Sequence, residues 1–540
     1  MKPTKPESTT QKVIKNKQES TTQKVIKNKQ ESTTQKVIKN KQESTTQKVI
    51  KNTFFQGIAA TIAKIGNFIF TIIVARLLFP ELFGIYSLVL SITLTLVTLT
   101  DLGLGGAAIR YISESLGKNK SKKEARSRFL FIFKFRFIIS LIVSLLLFIF
   151  AGLIATLFKK PDLVLPLQIG SIYLFISALY GLANPIFLAV QKIKYLTLIE
   201  AIFQASRIIL IFIFLHLYKT VETAFIVLII SLFFASIASL IIINKKYKFL
   251  IKGPLEPVER KRIIIFSSFL ALASLNVIIF GNVDKFILAY FLPAEFIGYY
   301  AAIFTIVAGV LGLTSFAQIL FPVFTQLKGE KLKTAFKKTF HYLALIVFPA
   351  AIGLAYVFIP ALLIFYGQAY VPLEYRLTLS IVSVILSLLI IEGVFATIYT
   401  TLFNALEKPK FPAISGAVSA FINIFLDIIL VFYLVKIKPE YGLIGAAVAT
   451  TISLYSFLFY MSILSSKKFK IVPDKNSIIK PLMASLLMLA FLFIYDYFIN
   501  LNIFTGIVMV FLAALIYFIV LFLIKGITKE DFKLISLLKS

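Results

Sequence analysis

Of 540 residues, 59% are hydrophobic and only 15% charged, and mean hydropathy is strongly positive. That composition excludes a soluble globular protein and places the chain among polytopic membrane proteins. There is no cysteine, and the two histidines, His216 and His341, lack ligand spacing, so neither thiol chemistry nor a metal, cofactor or catalytic centre is expected.

The first 52 residues stand apart. ESTTQKVIKNKQ occurs at 7–18, 19–30 and 31–42 and again, truncated, at 43–52. On a helix a twelve-residue period advances about 120° beyond whole turns, so Val13-Ile14, Val25-Ile26 and Val37-Ile38 form no single stripe. With 13 Lys against 4 Glu and few apolar residues, the segment reads as a disordered basic cytoplasmic tail. Its lysines also suit anionic lipid headgroups. The first apolar run, from Phe54, starts too late for a cleaved signal peptide.

From there, apolar stretches of membrane-spanning length recur to the C-terminus. Fourteen spans are expected, at about 54–78, 84–108, 129–157, 166–190, 196–217, 222–243, 263–290, 297–325, 339–366, 377–404, 412–434, 441–464, 478–499 and 503–525. An even number puts both termini on one side. Counting the tail, one set of alternate connections carries 45 Lys and Arg against 7 on the other, so both termini are expected to be cytoplasmic in a cell membrane. The net charge of +32, which in a soluble chain would suggest nucleic acid, is largely this topology signal.

ARLLFPELFGIYS at 75–87 corresponds to AYFLPAEFIGYYA at 289–301, with Gly84 and Tyr86 falling on Gly298 and Tyr300. The offset holds six spans, so two halves of like orientation are expected, related by an axis along the membrane normal, an arrangement known in transporters. These segments, with TDLGLGGAAIRYISE at 100–114, VDKFILAYFLPAEFIGYYAA at 283–302 and YGLIGAAVATTIS at 441–453, resemble the Wzx-type polysaccharide or O-antigen flippases. That family lies in the larger superfamily of lipid II flippases and multidrug and toxin extruders. The resemblance runs from about residue 53 onward. It implies an all-α integral membrane fold with a six-helix lobe at 53–250, a second at 251–466 and an additional helix pair within 467–540. The implied activity is alternating-access export of a polyprenyl-linked oligosaccharide to the outer leaflet, for cell-surface polysaccharide or glycoprotein synthesis. Its implied partners are that lipid-linked sugar, membrane lipids and glycan-assembly enzymes, with the chain itself a monomer.

Charges within spans mark pathways, because an ionised group at the bilayer centre costs about 2.5 to 3.5 kcal/mol on insertion scales. With loop and edge residues set aside, the cations are Lys64, Arg207 and Lys285; the acids are Asp101, Asp284, Glu392 and Asp427, with Glu200 and Asp496 near the edges. Arg207, about 16 Å from the cytoplasmic entrance of its span, lies too deep to snorkel. Arg207, Lys64 and Lys285 are the candidate binding residues for a phosphate or diphosphate headgroup, through charge-assisted hydrogen bonds. Asp284, Glu392 and Asp427 are candidates for ion coupling or for structural pairing, the latter including an ion pair of Arg207 with Glu392 or Asp427. Asp284 and Lys285, about 100° apart on a helix, must find different partners. Lys285 is also close enough to a helix end to snorkel. Breaks at Asn184-Pro185, Phe321-Pro322, Phe348-Pro349 and Gly103/Gly105/Gly106 are either hinges or packing kinks.

Two other readings compete. A multidrug extruder on the same fold would want acids in its first half, where this chain places Lys64. A membrane glycosyltransferase or polymerase would want a sizeable outer domain, whereas the longest outer connection is about ten residues. No Walker-type phosphate loop occurs: GKNKSKK at 117–123 lacks the preceding glycine.

Overall fold

The computed structural model describes residues 9–117, 121–314, 324, 327–499 and 502–527, with backbone alone at 9–51, 53, 183, 269, 272–281, 313, 314 and 503. Its described residues hold helices and no strand, as the composition requires: in hydrocarbon every backbone N–H and C=O must be satisfied within its own segment. Residues 1–57 and 58–540 are two separate units. The backbone is helical from Thr9, and α1 is Thr9–Asp101. The side chains of the first 51 residues lie outside the described residues.

Within the larger unit the first half continues with α2 (Leu104–Gly117), α3 (Lys122–Ile149), α4 (Ala151–Leu157), α5 (Val164–Tyr180), α6 (Ala183–Ala189), α7 (Ile193–Leu217) and α8 (Val221–Lys246). The second half holds α9 (Arg260–Phe291), α10 (Ala294–Thr314), α11 (Gly329–Tyr366), α12 (Arg376–Ser387), α13 (Leu389–Ala405), α14 (Lys410–Val435) and α15 (Tyr441–Leu464), after which come α16 (Asn476–Phe498) and α17 (Ile503–Leu523). In the first half α5 packs on α3 and α8, and α8 on α7; in the second, α14 packs on α15 and α9; α16 packs on α11 and α17 on α16.

Among the described residues, twelve helices are long and apolar enough to cross a membrane, which does not by itself confirm the expected count of fourteen. One of the twelve, Phe54–Gly117, is 64 residues long and takes in two expected spans. The expected seventh span falls on α9, which is not among the twelve.

Several breaks have a local cause. Phe79 has φ 60°, ψ 170° inside α1, at the residue before Pro80, where the α region is disfavoured. In the second half the matching break falls at Pro293, between α9 and α10. Leu102 and Gly103 both take positive φ between α1 and α2, which places the expected glycine break at an observed interruption. Asn184-Pro185 lies in α6 just past another, at Gly181-Leu182. Phe348-Pro349 lies within continuous α11. Phe321-Pro322 lies outside the described residues.

Beside the two proline breaks the halves meet backbone to backbone. A Cβ built on Gly84 would lie 1.8 Å from the Ala294 carbonyl oxygen, and one on Gly298 would lie 2.0 Å from that of Pro80. Gly84 corresponds to Gly298 and Pro80 to Ala294 in the internal repeat, so this is one contact made twice. Three side chains seal the same region: Tyr370 Oη donates to Ala75 O at 2.7 Å, Arg76 Nη1 to Ile364 O at 3.1 Å, and Lys160 Nζ to Ala289 O at 2.6 Å and Leu292 O at 2.8 Å.

Adding a side chain at either glycine must push the halves apart, and overpacking of this kind costs about 1 to 3 kcal/mol. The chain's lack of cysteine offers a direct readout. Ser87→Cys, at a position only 5% exposed, should react slowly with a small maleimide. Adding Gly84→Val or Gly298→Val should speed that reaction about tenfold, since each 1.4 kcal/mol is a factor of ten.

Candidate functional site

The first half encloses positive charge. Arg207 on α7 is 5% exposed. Its Nη2 donates to Asn67 Oδ1 at 3.3 Å, and its guanidinium lies over Phe70 at 4.7 Å and Phe203 at 5.0 Å. Its Nε has no partner among the described residues. The expected ion pair with Glu392 or Asp427 is not formed; those acids belong to α13 and α14 in the other half, while Arg207 faces α1. Aromatic faces hold a guanidinium in place while leaving in-plane donors for a ligand. On the same face of α7, Gln204 Nε2 donates to Glu200 Oε1 at 2.6 Å, and Gln204 fills the space that the missing side chain of Gly66 leaves on α1.

Lys64 lies one turn before Asn67 but reaches the other way. It is exposed, and its Nζ donates to Gly312 O on α10 at 3.4 Å. Lys285 also bridges the halves, its Nζ donating to Ser91 Oγ on α1 at 3.2 Å, instead of snorkelling out of its helix end. The three expected cations therefore do not form one cluster: Arg207 sits inside the first half, and Lys64 and Lys285 sit on contacts between the halves.

The acids of the second half are brought together more closely. Asp284, on α9, accepts from Tyr300 Oη at 2.5 Å and from Thr450 Oγ1 at 2.6 Å, both at Oδ2. Asn423 Nδ2 lies 3.1 Å from Asp427 Oδ2, 3.3 Å from Thr450 Oγ1 and 3.5 Å from Asp284 Oδ1. Asp284 is 6% exposed, Asn423 and Asp427 0%. Asn423 Oδ1 and Asp427 Oδ1 are buried without a partner. Among the described residues no lysine or arginine forms an ion pair with either aspartate. Two buried carboxylates so arranged need a counter-charge, and the free oxygens can accept one, either a proton or a small hard cation. Glu392, buried at 4% exposure on α13, does not join this cluster. Among the described residues no group of three or more His, Cys, Asp or Glu is placed to hold a metal ion.

Sequence reasoning passed over Arg136 on α3. It is 4% exposed and pairs with Asp101 at the α1–α2 break, where Gly105 N also donates to Asp101 Oδ1 at 3.3 Å. It missed Tyr300, Asn423 and Thr450 as well. The Asn423-to-Asp427 spacing, i to i+4 on one helix face, was a usable signal; the Asp101–Arg136 pair, across 35 residues of sequence, left none.

The profile of a family described as "Polysaccharide biosynthesis protein" matches residues 49–328. No protein of curated function matches the chain. Among solved structures, the lipid II flippase MurJ in an inward closed conformation superposes with a TM-score of 0.68 at 19% identity, covering 86% of this chain and 97% of that one. A multidrug resistance MATE family transporter of the MOP superfamily, inward-facing, gives 0.56 at 17% identity over 75% of this chain and 96% of that one. An outward-facing structure described in the same terms gives 0.51 at 16% identity over 78% and 97%.

Breaking this pair, in which Arg136 is buried and Asp101 half-buried, tests its role in holding the first half. Asp101→Ala leaves Arg136 buried without its carboxylate and should cost on the order of 3 kcal/mol in a denaturant titration of the detergent-purified protein. Adding Arg136→Met should restore at least half of that loss.

Proposed function

The chain belongs to the polysaccharide biosynthesis protein family, and from that premise we propose that it is a flippase. Its cargo is a polyprenyl-linked phosphate or diphosphate oligosaccharide, carried from the cytoplasmic to the outer leaflet of the cell membrane by alternating access, with both chain termini cytoplasmic. The two repeat-related halves, about 53–250 and 251–466, rock against each other, and the additional pair at 467–540 flanks them. The observation that carries this reading is Arg207: a guanidinium sunk in the first half with an orphaned Nε, aromatic walls and no carboxylate partner among the described residues is a phosphate receptor. Lys64 and Lys285, on contacts between the halves, feel the headgroup as those contacts open and close.

The lysine and arginine bias of the alternate loops supports the orientation. Moving a negative headgroup outward across an inside-negative potential is favourable by about 2.3 kcal/mol per charge per 100 mV, so the potential assists transport. The cluster of Asp284 and Asp427 with Asn423, Thr450 and Tyr300 is the coupling site, loaded by a proton or a monovalent cation. A multidrug extruder fits less well, because Arg207, buried in the first half with no ion pair among the described residues, repels a cationic drug.

The test is a leaflet-access assay in proteoliposomes with a fluorescent lipid-diphosphate sugar. Arg207→Ala should slow transfer at least tenfold, with Arg207→Lys retaining part of the rate. Asp427→Asn should abolish any dependence on a sodium or proton gradient while leaving headgroup binding in place. Transfer at the wild-type rate in Arg207→Ala would overturn the headgroup assignment.

A further inference from the structure

The seam between the halves has a second feature, at the opposite end from the glycine contact of Gly84 and Gly298. There α2 crosses α9 closely: a Cβ on Gly103 would lie 2.3 Å from Ser267 O, and one on Gly106 would lie 2.5 Å from Leu270 Cδ1. One turn further along, an open cleft of about 710 Å³ lies between the two helices. Tyr111, Ile265 and Phe266 form apolar wall, Arg110, Arg260 and Lys261 supply charge, and the Arg262–Glu259 ion pair completes the lining.

These three cations differ from the other basic residues nearby, which are already engaged. Arg128 is held by Glu124 at 2.5 Å and by Tyr111 O and Ser115 Oγ, both at 2.9 Å. Arg262 is held by Glu259 at 2.8 Å and Glu114 at 3.8 Å. Arg126 is bound to Ile251 O and Gly253 O. Among the described residues no carboxylate forms an ion pair with Arg110, Arg260 or Lys261. Arg110 lies over the Phe266 ring at 4.4 Å, which orients its guanidinium and leaves its in-plane donors free.

A basic loop explained by topology alone needs neither a cavity nor apolar walls. Cationic donors set against an aromatic and aliphatic surface match an anion attached to hydrocarbon. We propose that this pocket binds the phosphate or diphosphate of a lipid phosphate, with the first carbons of its chain against Tyr111, Ile265 and Phe266. The inference rests on the flippase reading and deepens it: the pocket is a docking subsite on the loading side, outside the crossing of α2 on α9, distinct from Arg207 further inside.

The test measures binding, so it is separate from transport. Full-length Arg207→Ala protein in detergent is titrated by calorimetry with farnesyl diphosphate, inorganic pyrophosphate and farnesol. Farnesyl diphosphate should bind more than tenfold tighter than either partial ligand. Adding Arg110→Gln and Lys261→Gln should weaken it at least tenfold without lowering the melting temperature. Phe266→Leu should weaken farnesyl diphosphate but not pyrophosphate. Absent binding, or binding indifferent to Arg110 and Lys261, overturns the site; pyrophosphate binding as tightly as farnesyl diphosphate overturns the lipid-phosphate assignment in favour of a free anion. If binding follows the expected pattern but no lipid-linked sugar crosses the bilayer, the flippase reading fails and the pocket stands.

Discussion

A pair of side chains that are not there fixes how the two halves can meet. Gly84 and Gly298 let each half set a helix against the carbonyl of the other half's proline-broken turn, and any Cβ would overlap that oxygen. In lipid there is little hydrophobic drive for apolar helices to associate, so close backbone approach through small residues supplies the attraction. Because the contact is made twice by related residues, it forms or breaks as a unit. A contact that can separate in this way suits the proposed alternating-access cycle. Tyr370, Arg76 and Lys160 add hydrogen bonds to backbone carbonyls around it, and those carbonyls lie at helix ends or breaks, where acceptors are left without partners in the chain.

The same device recurs on a different footing where α2 crosses α9. There the glycines belong to one half only, Gly103 with positive φ and Gly106 against Leu270. An interface that is reciprocal at one end and one-sided at the other does not respond symmetrically to a ligand wedged into it. Opening the one-sided end displaces α2 at a point where its backbone is already interrupted, between Asp101 and Leu104. The Arg136–Asp101 pair ties that interruption to α3, so the break can bend without coming loose from its half.

Much of this was legible in sequence. Span positions follow from composition because hydrocarbon thickness dictates segment length, and the pre-proline break and glycine pair were visible as an internal repeat. The break at Gly103 was readable because few residues other than glycine tolerate the conformation it takes. What stayed hidden was pairing. A one-dimensional pattern says that Arg207 is buried but not that it turns to Asn67, Phe70 and Phe203, since rotation about a helix axis is set by tertiary packing. Lys285 looked free to snorkel, yet the close approach of α1 puts Ser91 within its reach. Arg136 escaped notice because its stretch of α3 also reads as a loop edge, and its acid lies two helices back in the chain.

The buried charges are divided between the halves by sign. Of the buried charges that form no ion pair among the described residues, Arg207 lies in the first half and Asp284, Glu392 and Asp427 in the second, while Arg128 and Arg136 are neutralised by Glu124 and Asp101. Repeat-related scaffolds would tolerate either sign in either half, so the division is a property of the side chains and not of the fold. Its consequence is electrostatic, because in a low-dielectric interior a charge is felt far more strongly than in water. An anion entering between the halves is drawn to the first and repelled by the second for as long as Asp284 and Asp427 lack a counter-charge. Loading a cation or proton at that pair removes the repulsion. On the proposed coupling role, substrate and ion would then favour each other's presence without touching, and by linkage the effect would be reciprocal.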